Sequence, residues 1–537
     1  MVYHDYDEED HAFDDHPPDS VSSVSSRSVS VGQVGDKARA GRVTLCLRKK
    51  CLGIPIVLLL GLLVVAISVT ALVASHSASD SNSNGTDQTK GDLYLVESKS
   101  PTPQPTPHPT KATKPTVSPS QYPTHAELGT YTEWVQLGND VGGIESAEGN
   151  FGISVGVSGD GKVFAEGAHM AIGKDAATGH VRVYKYNEKT FVWEMRGHEI
   201  LGDKRGDEFG YAIDLSRSGD QIAIGAPGAD RSLGQDYGYF AVYHWNTTIQ
   251  DWCPMGPDKW GEHENERAGH DVTISEDGGV LVIGAPGSSK MGQNSGEIRV
   301  FEYMPKTDRW LRRGQDLHGE KEGDQFGASV AVSDDGNFVA AGSPYNSDAG
   351  YNAGSIRVFA WIDKRFHKLS RTLTGRDPGD NFGYSVACNE NCHVVAGGAP
   401  TAPLHKPDGT KVLLVGYVDV YKFFPDEDKW HKLGHPIYGE FAYEGFGKSV
   451  ELSADGHTLI VGSPDVKNSR GSIRVFQFQP DTQEWINIGR KIEGDGDYDF
   501  WGSEVAASED GKIIVSGGNN FKGLEKGAGH VRVYRGV

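Results

Sequence analysis

The sequence predicts an all-β chain: a seven-bladed β-propeller closed by an N-terminal strand and preceded by a disordered tail, one transmembrane helix and a Pro/Thr-rich stalk. Three observations predict it. A strand–turn–strand unit recurs along most of the chain, the two ends of the repeat region complement each other, and one long apolar run stands near the N-terminus.

The unit is clearest at 323–369. Ser329 to Ser333 alternates small and apolar residues as a buried strand does, and Asp335-Gly336 is a hairpin signal because glycine supplies positive φ. Phe338 to Ala341 returns, Ile356 to Trp361 forms a third strand, and Arg365 to Leu369 a polar-edged fourth. Its Phe-Gly anchor recurs at Phe151, Phe209, Phe326, Phe382 and Phe446, with degenerate copies at Ala268-Gly269 and Trp501-Gly502. Anchors lie 55 to 64 residues apart, so no unit is missing between them.

One such sheet cannot bury both faces, and a closed ring of sheets leaves no long exposed edge. After its third strand the last copy reaches Val537 without a fourth, while Tyr131-Thr-Glu-Trp-Val-Gln-Leu137 lies ahead of the first copy and matches the fourth-strand pattern. The N-terminal strand is expected to complete the seventh sheet.

These repeats resemble the FG-GAP repeats of the integrin α-subunit propeller, over about residues 131–537. The resemblance implies a seven-bladed propeller that binds ligands. The chain departs from it in the first hairpin, where many such repeats carry an Asp-rich calcium cage. Here the turns read Ser-x-Asp-Gly, as at Ser333-Asp-Asp-Gly336, and offer one or two carboxylates where calcium wants six to eight oxygens. They are read as turns whose Ser and Asp bond the backbone, with no metal or cofactor expected and calcium as the alternative.

Ahead of the propeller, residues 1–47 form an acidic, then serine-rich cytosolic tail without apolar period, expected to be disordered. Residues 52–74 are almost wholly apolar and reach roughly 34 Å as a helix, enough to cross a bilayer. Arg39, Arg42, Arg48, Lys49 and Lys50 precede the span and the next cation is Lys90, which predicts a single-pass type II topology with the C-terminus outside. The plasma membrane is the expected location, with the Golgi or another secretory compartment as alternatives. Residues 75–128 are a stalk whose Pro/Thr-rich half, as polyproline II, extends roughly 80 Å. Asn84 and Asn246 stand in glycosylation sequons on the side this topology makes luminal. Cys388 and Cys392 flank the fifth-blade turn and are expected to form a disulfide.

The formal net charge of −21 argues against nucleic acid as a partner. No Gly-x-Ser-x-Gly, His-Glu-x-x-His or Walker loop is present. Two residues before the anchor, six copies carry an acid: Asp207, Glu266, Asp324, Asp380, Glu444 and Asp499. They are expected to ring the mouth of the central channel, and their periodicity favours a structural role at the turn over a cation site. Arg182, Arg299, Arg357, Arg474 and Arg532 repeat on the third strand and read as inter-blade ion pairs. Ligand contacts are expected instead on loops that differ between blades, with Asp230, Arg231, Tyr237, Tyr345, Tyr351, His405 and Lys406 as candidates.

The resulting expectation is a membrane-anchored binding or adhesion module that presents its propeller to an extracellular protein or polysaccharide. The alternatives are a luminal glycan-acting enzyme, which a blade-unique pair of acids would signal, and a structural spacer whose partner engages the cytosolic tail.

Overall fold

A computed structural model describes residues 133–142, 148–171, 177–232, 234–519 and 529–537. The expected tail, transmembrane helix, Asn84 and the stalk lie outside these residues. Among those described, no helix is long and apolar enough to cross a membrane, and the one helical element is the short turn Val466–Ser469.

Seven antiparallel sheets form a seven-bladed β-propeller. In blade four the strands run Val330–Val332, Phe338–Ser343, Ser355–Ile362 and Arg365–Lys368, and a short fifth strand, Leu373–Thr374, pairs back onto the third. Strand boundaries match the sequence reading within two residues. The last sheet takes its outer strands from the N-terminal segment. Trp134–Gln136 pairs with His530–Gly536, Trp134 opposite Gly536, and Val141–Gly142 pairs with the same strand further along. The ring is therefore closed by hydrogen bonds between the two ends of the described chain.

Local chemistry explains the repeat. In the fourth-blade hairpin the Ser333 hydroxyl bonds Asp335 Oδ1 at 2.7 Å and accepts from the Phe338 amide at 2.9 Å. Asp335 Oδ1 also accepts from Asn337 N at 2.9 Å, and Gly336 takes φ 67°. The same Ser–Asp bond recurs at Ser158, Ser275, Ser453 and Ser508, so these carboxylates serve the turn itself. In blade five Asn389 and Asn391 take over the two acceptor positions, Cys392 stands at φ 48° where glycine stands elsewhere, and the Cys388–Cys392 disulfide is formed.

Blades interlock at three radii. At the outer rim an indole N–H from each fourth-strand tryptophan donates to a carbonyl of the preceding blade, as Trp310 does to Met255 at 2.8 Å and Trp485 to Leu433 at 2.7 Å. The N-terminal segment takes part on both sides: Trp134 donates to Ile488 and Leu137 accepts from Trp193. At middle radius the anchors Phe151, Phe209, Phe326, Phe382 and Phe446 are buried, as is Trp501. Nearest the axis, each first hairpin donates one backbone N–H to the next. The chain of bonds runs Gly159 to Arg217, Glu276, Asp334, Glu390, Ala454, Glu509 and back to Gly159, all between 2.8 and 3.1 Å. This is a closed circle of seven bonds in one rotational sense.

The hairpins of the first strands lie on one face, the base. The loops entering each blade and those joining second to third strands share the opposite, loop face: Gly379 N bonds Tyr351 O, Tyr443 N bonds Leu413 O and Tyr498 N bonds Asn468 O. Because Trp134 lies opposite Gly536, at the base end of the last strand, the chain enters the propeller from the base.

Candidate functional site

An axial channel with a cavity of about 690 Å³ runs between the first strands. Its mouth on the loop face is lined by the residue immediately after each anchor: Ile153, Tyr211, His270, Ala328, Tyr384, Lys448 and Ser503. This position differs in every blade but for two tyrosines. Tyr211 packs against His270 with ring centroids 5.1 Å apart and against His169 at 5.4 Å. Burial, seconded by the charge of Arg267, pushes both histidines down to about 4, so the imidazoles are neutral at physiological pH.

Deeper in, four carboxylates line the wall, each at a position where most blades carry Ser, Ala or Gly: Asp214, Asp271, Glu451 and Glu504. Burial raises all four, Asp214 to about 6, Asp271 to about 7 and Glu504 to about 8. Asp214 and Asp271 also join blades. Asp214 Oδ2 accepts from Thr273 Oγ1 and Ile274 N at 2.9 Å each, and Asp271 Oδ2 accepts from Val330 N at 2.8 Å. Ser329 and Ser449 do the same for Val386 and Val505, which marks Asp271 as a variant of a structural serine. The Glu504 carboxyl accepts from the Ser449 hydroxyl, at 3.3 Å. At the base Arg217 pairs with Glu276 and Glu509 and stands 4.0 Å from Asp334, bridging the channel floor.

A second cavity, of about 340 Å³, opens on the loop face beside the mouth. Tyr384, Pro400, Thr401, Leu414, Tyr443, Lys448 and Asp465 line it, and Tyr384 and Lys448 belong to both cavities. Lys448 Nζ lies 3.9 Å from Asp465 Oδ2. Tyr384 is 39% exposed, but desolvation where its ring packs into the cavity wall raises the phenol to about 12, and no hydrogen bond from the Tyr384 or Tyr443 hydroxyl is formed among the described residues.

The six acids expected to ring the mouth are placed elsewhere. Asp207, Glu266, Asp324, Asp380, Glu444 and Asp499 are all buried in the loops leading into the blades and do not line the channel. Each accepts from backbone amides three or four residues upstream, as Asp380 Oδ2 does from Arg376 and Asp377 at 3.0 and 2.9 Å, and Glu444 from Glu440 and Phe441. The offset is four residues, as from Asp207 to Tyr211: the anchor turns the chain, so the channel is met after Phe-Gly rather than before it. The third-strand arginines are in ion pairs within blades rather than between them: Arg299, Arg357, Arg474 and Arg532 with the loop leading into their own blade, and Arg182 with Glu199 after the fourth strand of its own blade. Buried Arg299 holds Glu266 and Glu297 at 2.6 Å each, and Arg357 stacks 3.9 Å from the Phe326 ring centroid.

The loop candidates do not converge. Tyr345 reaches the channel mouth. Tyr351 is 76% exposed on the same face. Asp230 Oδ1 caps its own loop through Asp236 N, Arg231 lies over the Tyr237 and Trp260 rings, and His405 stands 3.8 Å from Asp377 on a two-residue hairpin with Lys406. Sequence reasoning missed Tyr384, Tyr443, Lys448 and Asp465. For Tyr384 and Lys448 the signal available was the residue after Phe-Gly, which changes chemistry in nearly every copy; Tyr443 and Asp465 carry no such mark.

No protein-family model matches the chain, and no curated protein does. A solved structure, the Pseudomonas aeruginosa periplasmic gluconolactonase PpgL, aligns at a TM-score of 0.43 and 14% identity, over 68% of this chain and 98% of that one. At that level of superposition no correspondence of sites follows.

Proposed function

We propose that the chain is a single-pass type II membrane protein whose propeller is an extracellular or luminal binding module for a protein or polysaccharide. The observation that carries this reading is where the exposed tyrosines lie, the base exposing Phe191 and Phe424 at its hairpins but no tyrosine among the described residues. Tyr345, Tyr351, Tyr384, Tyr443 and Tyr498, the tyrosines among the exposed large side chains, belong to the loop face, and Leu413, Leu414 and Phe441 join them. The first described strand enters the propeller at the base, opposite the face that carries these tyrosines. The sequon at Asn246 sits in a third-to-fourth strand hairpin on the base side, where a glycan leaves the loop face open. Exposed aromatic surface on a rigid scaffold is the usual composition of a recognition site. The FG-GAP-like motifs support the same class of function.

The test is retention of surface proteins and polysaccharides by the full chain, compared with a Tyr443→Ala/Tyr384→Ala variant. Equal retention by both would sink the assignment to the loop face.

The channel acids favour a second reading, a luminal glycan-acting enzyme. Glu451 and Glu504, which share their repeat positions only with Asp214 and Asp271, are carboxyls that burial raises above the usual range, the direction a general acid requires. Turnover of a glycan that Glu451→Gln and Glu504→Gln each abolish, with folding intact, would establish it over the binding reading.

A further inference from the structure

We infer that the cleft beside the channel mouth is a carbohydrate subsite that takes one or two neutral hexose units of a glycan chain. This rests on the binding reading above and names the ligand class for its loop face.

Size comes first. The cavity is about 340 Å³, at the low end for ligand sites, which suits a terminal disaccharide better than a folded protein element. Its walls differ in kind. Leu414, Tyr443 and Tyr384 present apolar and aromatic surface, while Lys448 and Asp465 form an ionic wall. A pyranose has the same division, with C–H groups on its faces and hydroxyls on its edge.

Charge then selects within the carbohydrates. Lys448 is the one cation and Asp465 the one anion lining the cleft, so the site is neutral overall. A uronate or sulfate would compete with Asp465 for Lys448 and leave one charge desolvated without a partner. A neutral hydroxyl pair avoids that penalty, because one hydroxyl can accept from Lys448 Nζ while its neighbour donates to Asp465 Oδ2. The 3.9 Å gap between those atoms is wider than a tight ion pair and leaves both with hydrogen-bonding capacity. The Tyr384 and Tyr443 hydroxyls add two more groups without partners among the described residues. An extended apolar peptide would use the tyrosines but leave the ionic wall unmatched.

The loop is built to hold this arrangement. Glu444, buried and bonded to the amides of Glu440 and Phe441, fixes the turn that sets Tyr443 outward at 59% exposure. The structural acid and the ligand-facing tyrosine are adjacent residues.

The experiment uses the full-length chain in detergent micelles on an array of neutral, uronate-bearing and sulfated polysaccharides and of surface proteins. Neutral hexose glycans should be retained, and Tyr443→Ala and Lys448→Met should each weaken that binding about tenfold or more. Tyr384→Phe, which removes a single hydroxyl, should weaken it less, and Tyr351→Ala, outside the cleft, should not. Melting temperatures should be unchanged throughout. Retention confined to acidic glycans or to proteins overturns the inference, as does neutral-glycan binding indifferent to the Tyr443 and Lys448 substitutions; either leaves the binding reading standing. Retention of nothing by the unsubstituted chain overturns both.

Discussion

At the scale of single residues, the channel carboxyls give the propeller a pH signature. Unfolded carboxyls titrate near 4, whereas Asp214, Asp271 and Glu504 keep their protons to about 6, 7 and 8. Between those limits the folded chain binds more protons than the unfolded one. Their contribution is therefore fully present below pH 4 and is lost as pH rises towards 8. His169 and His270, held down to about 4, slope the other way and cost stability as pH falls below about 6.5. Glu504→Gln should raise the melting temperature at pH 8 by the equivalent of about 4 kcal/mol and leave it nearly unchanged at pH 4. Melts across that range check this, and an unchanged difference between pH 4 and 8 would count against it. The Cys388–Cys392 bond closes a short loop, worth about 2 kcal/mol on loop entropy alone. Because Cys392 occupies a positive-φ position, Cys388→Ser with Cys392→Gly should recover part of that loss, and a denaturant titration against Cys388→Ser with Cys392→Ser will measure the recovery.

At the scale of elements, the segment that closes the ring matters most. It supplies two strands to the last blade, donates the Trp134 indole to blade six and accepts the Trp193 indole from blade one. Deleting residues 126–138 should lower the melting transition sharply, and Trp134→Ala alone should cost about 3 kcal/mol or more. An unaltered melt of the deletion would refute closure as a source of stability. Elements of this kind were legible in the sequence because each is enforced locally. Glycine is needed in the turn, Ser and Asp bond their own hairpin, and the alternating strand has a buried face. The acids before Phe-Gly were legible as a periodic, structural set but not in their position, because the turn at the anchor decides which side chain meets the axis.

At the scale of the whole molecule, the cleft was not legible. Tyr384, Thr401, Leu414, Tyr443, Lys448 and Asp465 come from four segments of two consecutive blades, and only the packing of those blades brings them together. The channel acids escaped notice for the opposite reason, since each stands in or beside a regular first strand, where a single polar residue looks like repeat drift. Topology carries its own prediction. With the membrane anchor as proposed, the propeller should resist protease added to the cytosolic side, and Asn246→Gln should remove one endoglycosidase-sensitive mobility shift.

The innermost circle of seven backbone bonds, from Gly159 round to Glu509 and back, has a consequence for how the molecule comes apart. A linear array of repeats frays from its ends, each terminal unit opening at a fraction of the global cost. A circle has no end. Releasing any one hairpin breaks a bond to each neighbour, so no hairpin of the circle is a free end. The amide protons of Gly159, Arg217, Glu276, Asp334, Glu390, Ala454 and Glu509 should therefore exchange with solvent as one slow class, at a rate set by global unfolding. A graded series of rates around the axis would mean that the propeller opens blade by blade, like a solenoid that happens to meet itself.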